Sequence, residues 1–279
     1  MEGRTLFVLV TVVYLVEANH DFNYDDQGDL DPSHWKYVPG WSKCGGKRQS
    51  PIDINTEHFT SNDENNNVFL LKSEHSTIDG YFENNGHAPT FQSNLNSSGT
   101  LQLESQGKAY DFRNLHFHFG VEPSNGSEHS VDGKYYPAEA HLVHTRKEEG
   151  GMSIVVIGVF LSLQEEESAE PPNAEVKRIV EDYIGNIATL HAEIKAEIKP
   201  YAVLPNEQDC YTYTGSLTTP PCTEGVHWII IQKPIVISRK DLDILRSLHG
   251  ESDLMSDDGI RRPTQRKDVP DVSVGELEH

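Results

Sequence analysis

Three histidines in two strand-like segments could hold a metal ion. His116 and His118 stand one residue apart in an apolar run, residues 115–119, and His141 lies in a second such run, residues 138–144. Because side chains alternate across a β-strand, His116 and His118 would point to one face, and a neighbouring strand could add His141. Three neutral imidazoles around a zinc ion leave the fourth tetrahedral position open for a water molecule, as catalytic zinc sites require. The spacing therefore predicts a catalytic zinc site.

Ordinary packing is the alternative for these residues. The chain has 14 histidines, and a pair at positions i and i+2 also occurs where imidazoles pack across neighbouring strands. Two further segments favour chemistry. Glu128-His129-Ser130 lies between the histidine runs, and residues 215–222 have the sequence Gly-Ser-Leu-Thr-Thr-Pro-Pro-Cys. The second segment is too unusual in composition for a generic turn, which indicates a functional loop.

In their order and spacing, these segments resemble the α-class carbonic anhydrases. No single motif carries the resemblance, but the set as a whole is highly specific and spans most of the chain. The matching positions are Tyr24, His34-Trp35, residues 49–54 (QSPIDI), 84–87 (NNGH), 115–118 (LHFH), 127–132 (SEHSVD), 138–144 (AEAHLVH), 158–161 (GVFL) and 215–221 (GSLTTPP), and Trp228.

The resemblance implies the fold class. It is a single, mostly β domain of the α+β type, with a large, twisted, mainly antiparallel central sheet, short peripheral helices and a conical cleft that ends at the metal. The residues themselves predict an amphipathic helix from about Asn173, where apolar side chains form one stripe up to Ile187. They also predict strands wherever short apolar or alternating stretches occur. These stretches are residues 68–71, 100–103, 115–119, 140–144, 154–161 and 226–231.

The resemblance also implies an activity, the zinc-dependent and reversible hydration of carbon dioxide to bicarbonate and a proton by attack of a zinc-bound hydroxide. Thr218 would orient the hydroxide by accepting its hydrogen bond, provided that the buried carboxylate of Glu128 accepts the hydrogen of Thr218. His87 matches the proton shuttle of the family, since a histidine of near-neutral pKa can pass the released proton to buffer. Without the resemblance, His87 would be interpreted as an ordinary loop histidine beside a glycine.

Other positions match residues that support the ligands or line the substrate pocket in the family. Glu139 matches the partner of His141. Asn114 stands where the family commonly has a glutamine serving His116, and its shorter side chain is expected to orient that ligand less firmly. The backbone carbonyl that would support His118 cannot be placed, because residues 261–265 match only in part. An apolar pocket for carbon dioxide is expected from Val143, Val156, Leu217, Thr218, Thr219, Val226 and Trp228.

Both ends of the chain are predicted to lie outside the catalytic domain. Residues 1–18 are typical of a secretory signal peptide, with a basic residue near the start, an apolar stretch too short to span a membrane and a small-residue cleavage site; a buried N-terminal strand is the alternative. Residues 19–265 would form the domain, and residues 266–279 a polar, acidic tail without a membrane anchor. We therefore expect a secreted, extracellular protein with glycosylation sequons at Asn96 and Asn125.

Cysteine pairing matters in a secreted protein, since thiols oxidise outside the cell. The chain has 3 cysteines, and the sequence alone allows three pairings. The resemblance favours a bridge from Cys44 to Cys222, because extracellular members join the corresponding segments, and such a bridge would contribute about 2–4 kcal/mol to stability. Cys210 would then be unpaired: either buried and inert, or exposed and able to link two chains into a homodimer.

Charge excludes one class of partner and leaves two other functions to consider. The chain has 44 Asp and Glu against 23 Lys and Arg, a formal charge of −21, so nucleic acid would be repelled. A catalytically inactive extracellular binding or matrix protein on the same fold is one alternative, and the presence of all three zinc histidines argues against it. An acidic calcium-binding matrix protein is the other. It rests on charge alone, since no loop with regular oxygen-ligand spacing is found.

Overall fold

The computed structural model of the chain describes residues 22–24, 29–58, 67–72, 76–94, 101–165, 170–248, 259–265 and 271–278. The predicted signal peptide and the sequon at Asn96 lie outside these residues, whereas Asn125 is described and partly exposed. In the described part of the chain, no helix is long and apolar enough to cross a membrane.

Most of the described chain is β-structure. The strands are β1 (Asp53–Ile54), β2 (Asn67–Lys72), β3 (Ile78–Asn84), β4 (Pro89–Ser93), β5 (Gln102–Ser105), β6 (Lys108–Phe119), β7 (Ser130–Val131), β8 (Ala138–Glu148), β9 (Gly151–Leu163), β10 (Glu193–Ile198), β11 (Asp209–Ser216), β12 (Glu224–Ile237) and β13 (Ser273–Glu278). Short 3₁₀ turns occupy Trp35–Tyr37, Ser42–Gly45, Thr56–His58, Ile184–Asn186 and Pro200–Val203.

One large sheet contains all of these strands except β1 and β7, which pair with each other in parallel. Its order is β10-β3-β4-β6-β5-β2-β13-β11-β12-β9-β8, and β8 also pairs with β6. The long strands β6, β8, β9 and β12 therefore lie side by side. Neighbours run antiparallel except for β9 with β12 and β2 with β13. The expected mostly β fold with a mainly antiparallel central sheet is confirmed.

Two short α-helices, α1 (Ala174–Asp182) and α2 (Arg239–Ser247), contact each other beside the sheet. The side chain of Asn173 caps α1 by accepting hydrogen bonds from two backbone N–H groups of the first turn, so the helix begins where the sequence predicts. A reciprocal capping box of Ser238 and Asp241 starts α2, which the sequence analysis did not predict. The buried apolar residues are Val176, Ile179 and Val180 in α1 and Leu242 and Leu245 in α2.

The C-terminal residues are part of the sheet, which corrects the predicted domain boundary at residue 265. Strand β13 lies between β11 and β2, antiparallel to the former and parallel to the latter. Leu277 is 3% exposed and joins the core, while Val274, Glu276 and Glu278 are exposed. A strand with one solvated face needs few apolar residues. The polar composition of this segment therefore suggested a tail.

Cys44 and Cys222 form the disulfide that the resemblance implies. The bridge joins residues 178 positions apart and ties the turn Ser42–Gly45 to the loop between β11 and β12. Cys210 is free and fully buried in β11, and burial raises the pKa of its thiol to about 12. Of the two alternatives for Cys210, the structure therefore has the buried thiol and not the exposed one.

Removing the buried side chain of β13 should destabilise the protein. We expect Leu277→Ala to lower the free energy of unfolding by about 2–5 kcal/mol, because it leaves a cavity in the core. Val274→Ala, on the exposed face of the same strand, is the matched control and should change this free energy by less than about 0.5 kcal/mol. Urea unfolding followed by tryptophan fluorescence measures both. An equally small loss of unfolding free energy in both variants would contradict the packing of β13 in the sheet.

Candidate metal centre

The register of neighbouring strands brings the three histidines to one face of the sheet. His116 on β6 lies opposite His141 on β8, and His141 lies opposite Gly158 on β9. Residues directly opposite one another point to the same face, and His118 follows His116 by two positions. The alternating residues of β6 are fully buried in the main core, which directs the imidazoles to the other face. These core residues are Leu115, Phe117 and Phe119.

Three imidazole nitrogens converge in this site. Nε2 of His116 lies 3.3 Å from Nδ1 of His141, and the ligand atoms of His116, His118 and His141 all lie within 4.8 Å of one another. Nε2 of His118 is buried and has no hydrogen-bond partner among the described residues. His118 and His141 are buried, whereas His116 is partly exposed, so the group is open to one side. A buried nitrogen that lacks a partner beside two other imidazole nitrogens fits a metal ion as that partner.

An oxygen atom holds the other nitrogen of each imidazole on β6. Nδ1 of His116 donates to Oδ1 of Asn114 at 3.0 Å, so Asn114 reaches its ligand although it is shorter than glutamine. Nδ1 of His118 donates to the backbone carbonyl of Ile260 at 2.9 Å, and this is the support that could not be placed from the sequence. Because both oxygens can only accept, Nδ1 carries the ring proton in each case. Nε2 is thereby left free to bind a metal.

Glu139 holds the third imidazole and is itself completely enclosed. Its Oε1 accepts from Nε2 of His141 at 2.8 Å and from Nδ1 of His129 at 2.7 Å. Its Oε2 accepts from the backbone N–H groups of Glu128 and His129 at 2.9 and 2.8 Å. Burial alone raises the pKa of a carboxyl, but the charges and hydrogen bonds of His129 and His141 together hold the pKa of Glu139 well below its ordinary value. Glu139 therefore stays ionised and fixes the tautomer of His141.

His129 extends this network away from the metal site. Its Nε2 is hydrogen-bonded to the hydroxyl of Tyr213 at 2.6 Å, and that hydroxyl lies 2.8 Å from Oγ of Ser50. His129, Glu139 and His141 form a second group with metal-binding spacing. Both ring nitrogens of His129 are already hydrogen-bonded, however, so this group supports the first one and does not compete with it. No role for His129 is predicted from the sequence, where it appears only within the motif of residues 127–132.

Burial favours the neutral form of the two histidines on β6. It lowers the pKa of His116 well below its ordinary value, and repulsion from His141 and His118 adds to this effect. Burial also lowers the pKa of His118, against the attraction of Glu128. Only an unprotonated imidazole can bind a metal, so the lowered pKa values of His116 and His118 favour their binding form at neutral pH.

Glu128 lies beside the histidine group and Thr218 lies in the loop after β11. Oε1 of Glu128 accepts from the backbone N–H of Arg262 at 2.8 Å. Oε2 lies 3.4 Å from Nε2 of His118 and 4.0 Å from Nδ1 of His141, and among the described residues it has no hydrogen-bond partner. Thr218 is 5% exposed. The expected hydrogen bond between Thr218 and Glu128 is therefore not made in the described structure.

The apolar residues predicted to bind carbon dioxide come together in one cluster. The ring centroid of Trp228 lies 4.9 Å from that of His141, so this cluster borders the histidine group. Thr219, in the loop of Thr218, is partly exposed. The buried members of the cluster include Val156, Val226 and Trp228, and Val143 and Leu217 pack against them.

His87 lies in the turn between β3 and β4 and is partly exposed. Its ring stacks on that of Phe22, with centroids 3.8 Å apart and planes inclined by 10°. Its backbone N–H donates to Oδ1 of Asn85 at 2.9 Å. Three residues further on, Thr90 lies opposite His116 in the ladder of β4 and β6. His87 thus lies just before β4, the strand that borders the histidine-bearing strand β6.

Comparisons with known proteins all point to one family. A model of the eukaryotic-type carbonic anhydrase family matches residues 30–271. The "putative carbonic anhydrase 3" of Caenorhabditis elegans is 32% identical over 225 residues, which cover 77% of this chain and 87% of the relative. The "carbonic anhydrase 6" of Mus musculus is 31% identical over 252 residues, which cover 85% and 75%. The solved structure of an α-carbonic anhydrase from Thermovibrio ammonificans, in complex with the inhibitor sulfanilamide, has a TM-score of 0.72 at 31% identity and covers 90% of this chain and 98% of that one.

Loss of the Asn114 side chain should weaken metal binding. In Asn114→Ala, Nδ1 of His116 loses its acceptor, and we expect the dissociation constant for Zn²⁺ to rise about 10–100-fold. Competition with a chromophoric chelator measures this constant. Asn114→Gln retains an amide at the position, and Asn186→Ala removes an amide from a distant turn; both should bind nearly as well as wild type. An unchanged constant in Asn114→Ala would show that other contacts hold His116.

Proposed function

The chain belongs to the eukaryotic-type carbonic anhydrase family, and on this premise we propose that it hydrates carbon dioxide reversibly at a zinc ion held by His116, His118 and His141, with His87 carrying the released proton away. That the protein is a carbonic anhydrase follows from its family and its relatives. The observation that carries the zinc proposal is the convergence of three imidazole nitrogens, in rings whose other nitrogens are all held by oxygen atoms.

Zinc suits this set of donors. Three neutral imidazoles with one open side are typical of catalytic zinc, whereas magnesium and calcium prefer oxygen ligands. When bound, zinc would acidify a water molecule and so supply a nucleophile at neutral pH, an effect for which carbonic anhydrase is the standard example. Asn114, Ile260 and Glu139 fix the tautomer and the orientation of the three rings, and this is the chain's own contribution to the metal site.

Thr218 and Glu128 would orient the nucleophile. Glu128 is buried and ionisable, and its Oε2 has room for one more donor because no described residue donates to it. We propose that the hydroxyl of Thr218 donates to this oxygen when substrate is present. Thr218 would then accept a hydrogen bond from the nucleophile, which directs a lone pair of the attacking oxygen towards the substrate. Catalytic hydrogen bonds commonly tighten only when substrate binds, which is consistent with the absence of this one.

The apolar cluster beside the metal site would bind carbon dioxide. The substrate carries no charge, so a pocket that lacks water and hydrogen-bond donors binds it better than it binds bicarbonate. Trp228 lies against the ring of His141, and this contact supports a substrate position next to the metal. Val143 and Leu217 are partly exposed at the border of the cluster, where an entering molecule would meet them.

His87 would carry the proton that hydration releases. An acid of pKa about 7 releases its proton to water at only about 10³ s⁻¹, so faster turnover requires a relay. His87 is partly exposed in the turn just before β4, the strand adjacent to the one that carries His116 and His118. Stacking on Phe22 supports a defined ring position from which a proton can pass to buffer.

We further propose that the enzyme is secreted after cleavage near residue 18 and is glycosylated at Asn96 and Asn125. The disulfide between Cys44 and Cys222 supports this proposal, because disulfides persist mainly in oxidising compartments. The partial exposure of Asn125 is compatible with an attached glycan.

Removal of one ligand tests the zinc proposal. We expect wild-type protein to contain one zinc per chain and to hydrate carbon dioxide. We expect His141→Ala to lose most of its zinc and at least about 99% of its activity, because the variant lacks the imidazole that Glu139 holds towards the metal. Metal analysis and stopped-flow hydration are run on the same samples. His34→Ala, which removes an exposed imidazole, is the control. Full zinc content and activity in His141→Ala would refute the assignment.

Removal of the shuttle should slow proton release and leave bond formation intact. In His87→Ala we expect the maximal hydration rate in weak buffer to fall to about 10³ s⁻¹, while kcat/KM changes little. Added imidazole buffer should restore turnover, because a diffusing base replaces the relay. A wild-type rate above this limit that persists in His87→Ala without added buffer would exclude His87 as the shuttle.

A further inference from the structure

Gly158 stands where a side chain would meet the support of a metal ligand. It lies on β9, opposite His141 on β8 and opposite Ile230 on β12. A Cβ atom at this position would be 2.7 Å from Cδ1 of Ile230, 3.0 Å from Oε1 of Glu139 and 3.8 Å from Cδ2 of His141. The first two distances are shorter than ordinary van der Waals contact.

Backbone conformation does not account for this glycine. Gly158 is absent from the residues with positive φ, so any residue could adopt its backbone angles. It lies inside β9, a strand of 13 residues, where a glycine weakens the strand because it has no side chain to pack. What Gly158 provides is therefore space.

The carboxylate of Glu139 uses that space. Glu139 precedes His141 by two residues on β8, on the same face of the sheet, and its carboxylate reaches back to Nε2 of His141. Its four hydrogen bonds, of 2.7, 2.8, 2.8 and 2.9 Å, leave it little freedom to move aside. Any group that enters the space must displace an oxygen that holds both His129 and His141.

We propose that Gly158 is a positioning residue of the metal site: because it lacks a side chain, Glu139 can lie against β9 and hold His141 with Nδ1 directed at the metal. This inference rests on the proposed function, since it takes His141 as a ligand. A Cβ atom would push Oε1 of Glu139 away by a few tenths of an ångström. The hydrogen bond to His141 would weaken, and the ring would be free to turn.

The test separates the two close contacts of the new Cβ atom. Ile230→Val removes the Cδ1 atom but leaves Glu139 in place. We expect zinc to dissociate about tenfold faster than from wild type in both Gly158→Ala and the double variant Gly158→Ala/Ile230→Val, and at the wild-type rate in Ile230→Val. Val180→Ala in α1 is the control for general destabilisation, because Val180 is fully buried in the main core and does not belong to the apolar cluster that contains Ile230.

Zinc transfer to a chromophoric chelator gives the dissociation rates, and thermal unfolding of the same samples gives the stability. An unchanged rate in Gly158→Ala would overturn the inference. An equal acceleration of zinc dissociation in Val180→Ala, at an equal loss of stability, would also overturn it. Recovery of the wild-type rate in the double variant would assign the effect to Ile230 and also overturn it. A wild-type protein that holds no zinc would instead refute the proposed function.

A second measurement is independent of the metal. In metal-free protein, the ring N–H protons of His129 and His141 that donate to Glu139 should give downfield NMR signals that exchange slowly with water. Gly158→Ala should shift both signals and speed their exchange, and Val180→Ala should leave them in place. Unchanged signals in Gly158→Ala would overturn the inference whatever the zinc measurements show.

Discussion

The buried carboxylate of Glu139 is the constraint on which the histidine-bearing face of the sheet depends. An ionised group out of water is tolerated only when its oxygens are hydrogen-bonded, and four donors meet this need here. Two of the donors are the rings of His129 and His141, and two are backbone N–H groups. The backbone donors bring the segment before β7 against β8, where Oγ of Ser127 bridges the carbonyl of His129 and the N–H of Tyr136. One carboxylate thus sets both the tautomer of His141 and the path of the segment before β7.

The buried guanidinium of Arg262 holds the segment of residues 259–265 in place. Burial lowers the pKa of Arg262 to about 10, against the attraction of Glu128, so the group is still protonated at neutral pH. Its backbone N–H holds Glu128, and the carbonyl of Ile260 holds His118. This segment, far along the chain, therefore orients His118 and the neighbouring Glu128. The guanidinium anchors that segment to three oxygen atoms near the disulfide, those of Cys44, Gln49 and Ser50.

Local periodicity and long-range contacts differ in how far a sequence predicts them. His116 and His118 could be assigned to one face because alternation is a property of a few consecutive residues. The carbonyl of Ile260 could not be identified, because every residue carries a carbonyl and only the fold decides which one approaches the ring. Strand β13 was missed because Leu277 is its one buried apolar side chain. The state of Cys210 depends on the strands on either side of β11, and a single sequence does not give strand order.

The proposed metal ligands and the proposed reacting groups are held by different parts of the fold. The three histidines project from long, fully paired strands, and an oxygen atom supports each ring. Thr218 lies in a tight loop, closed by hydrogen bonds from Leu217 N–H to the carbonyl of Thr223 and from Cys222 N–H to that of Thr219. The disulfide anchors this loop at one end. A buried carboxylate oxygen without a partner, as in Glu128, favours the approach of a hydroxyl donor, because desolvation of that oxygen is otherwise uncompensated. In the proposed function, the sheet would therefore set metal affinity, and the loops would set how the bound substrate is attacked.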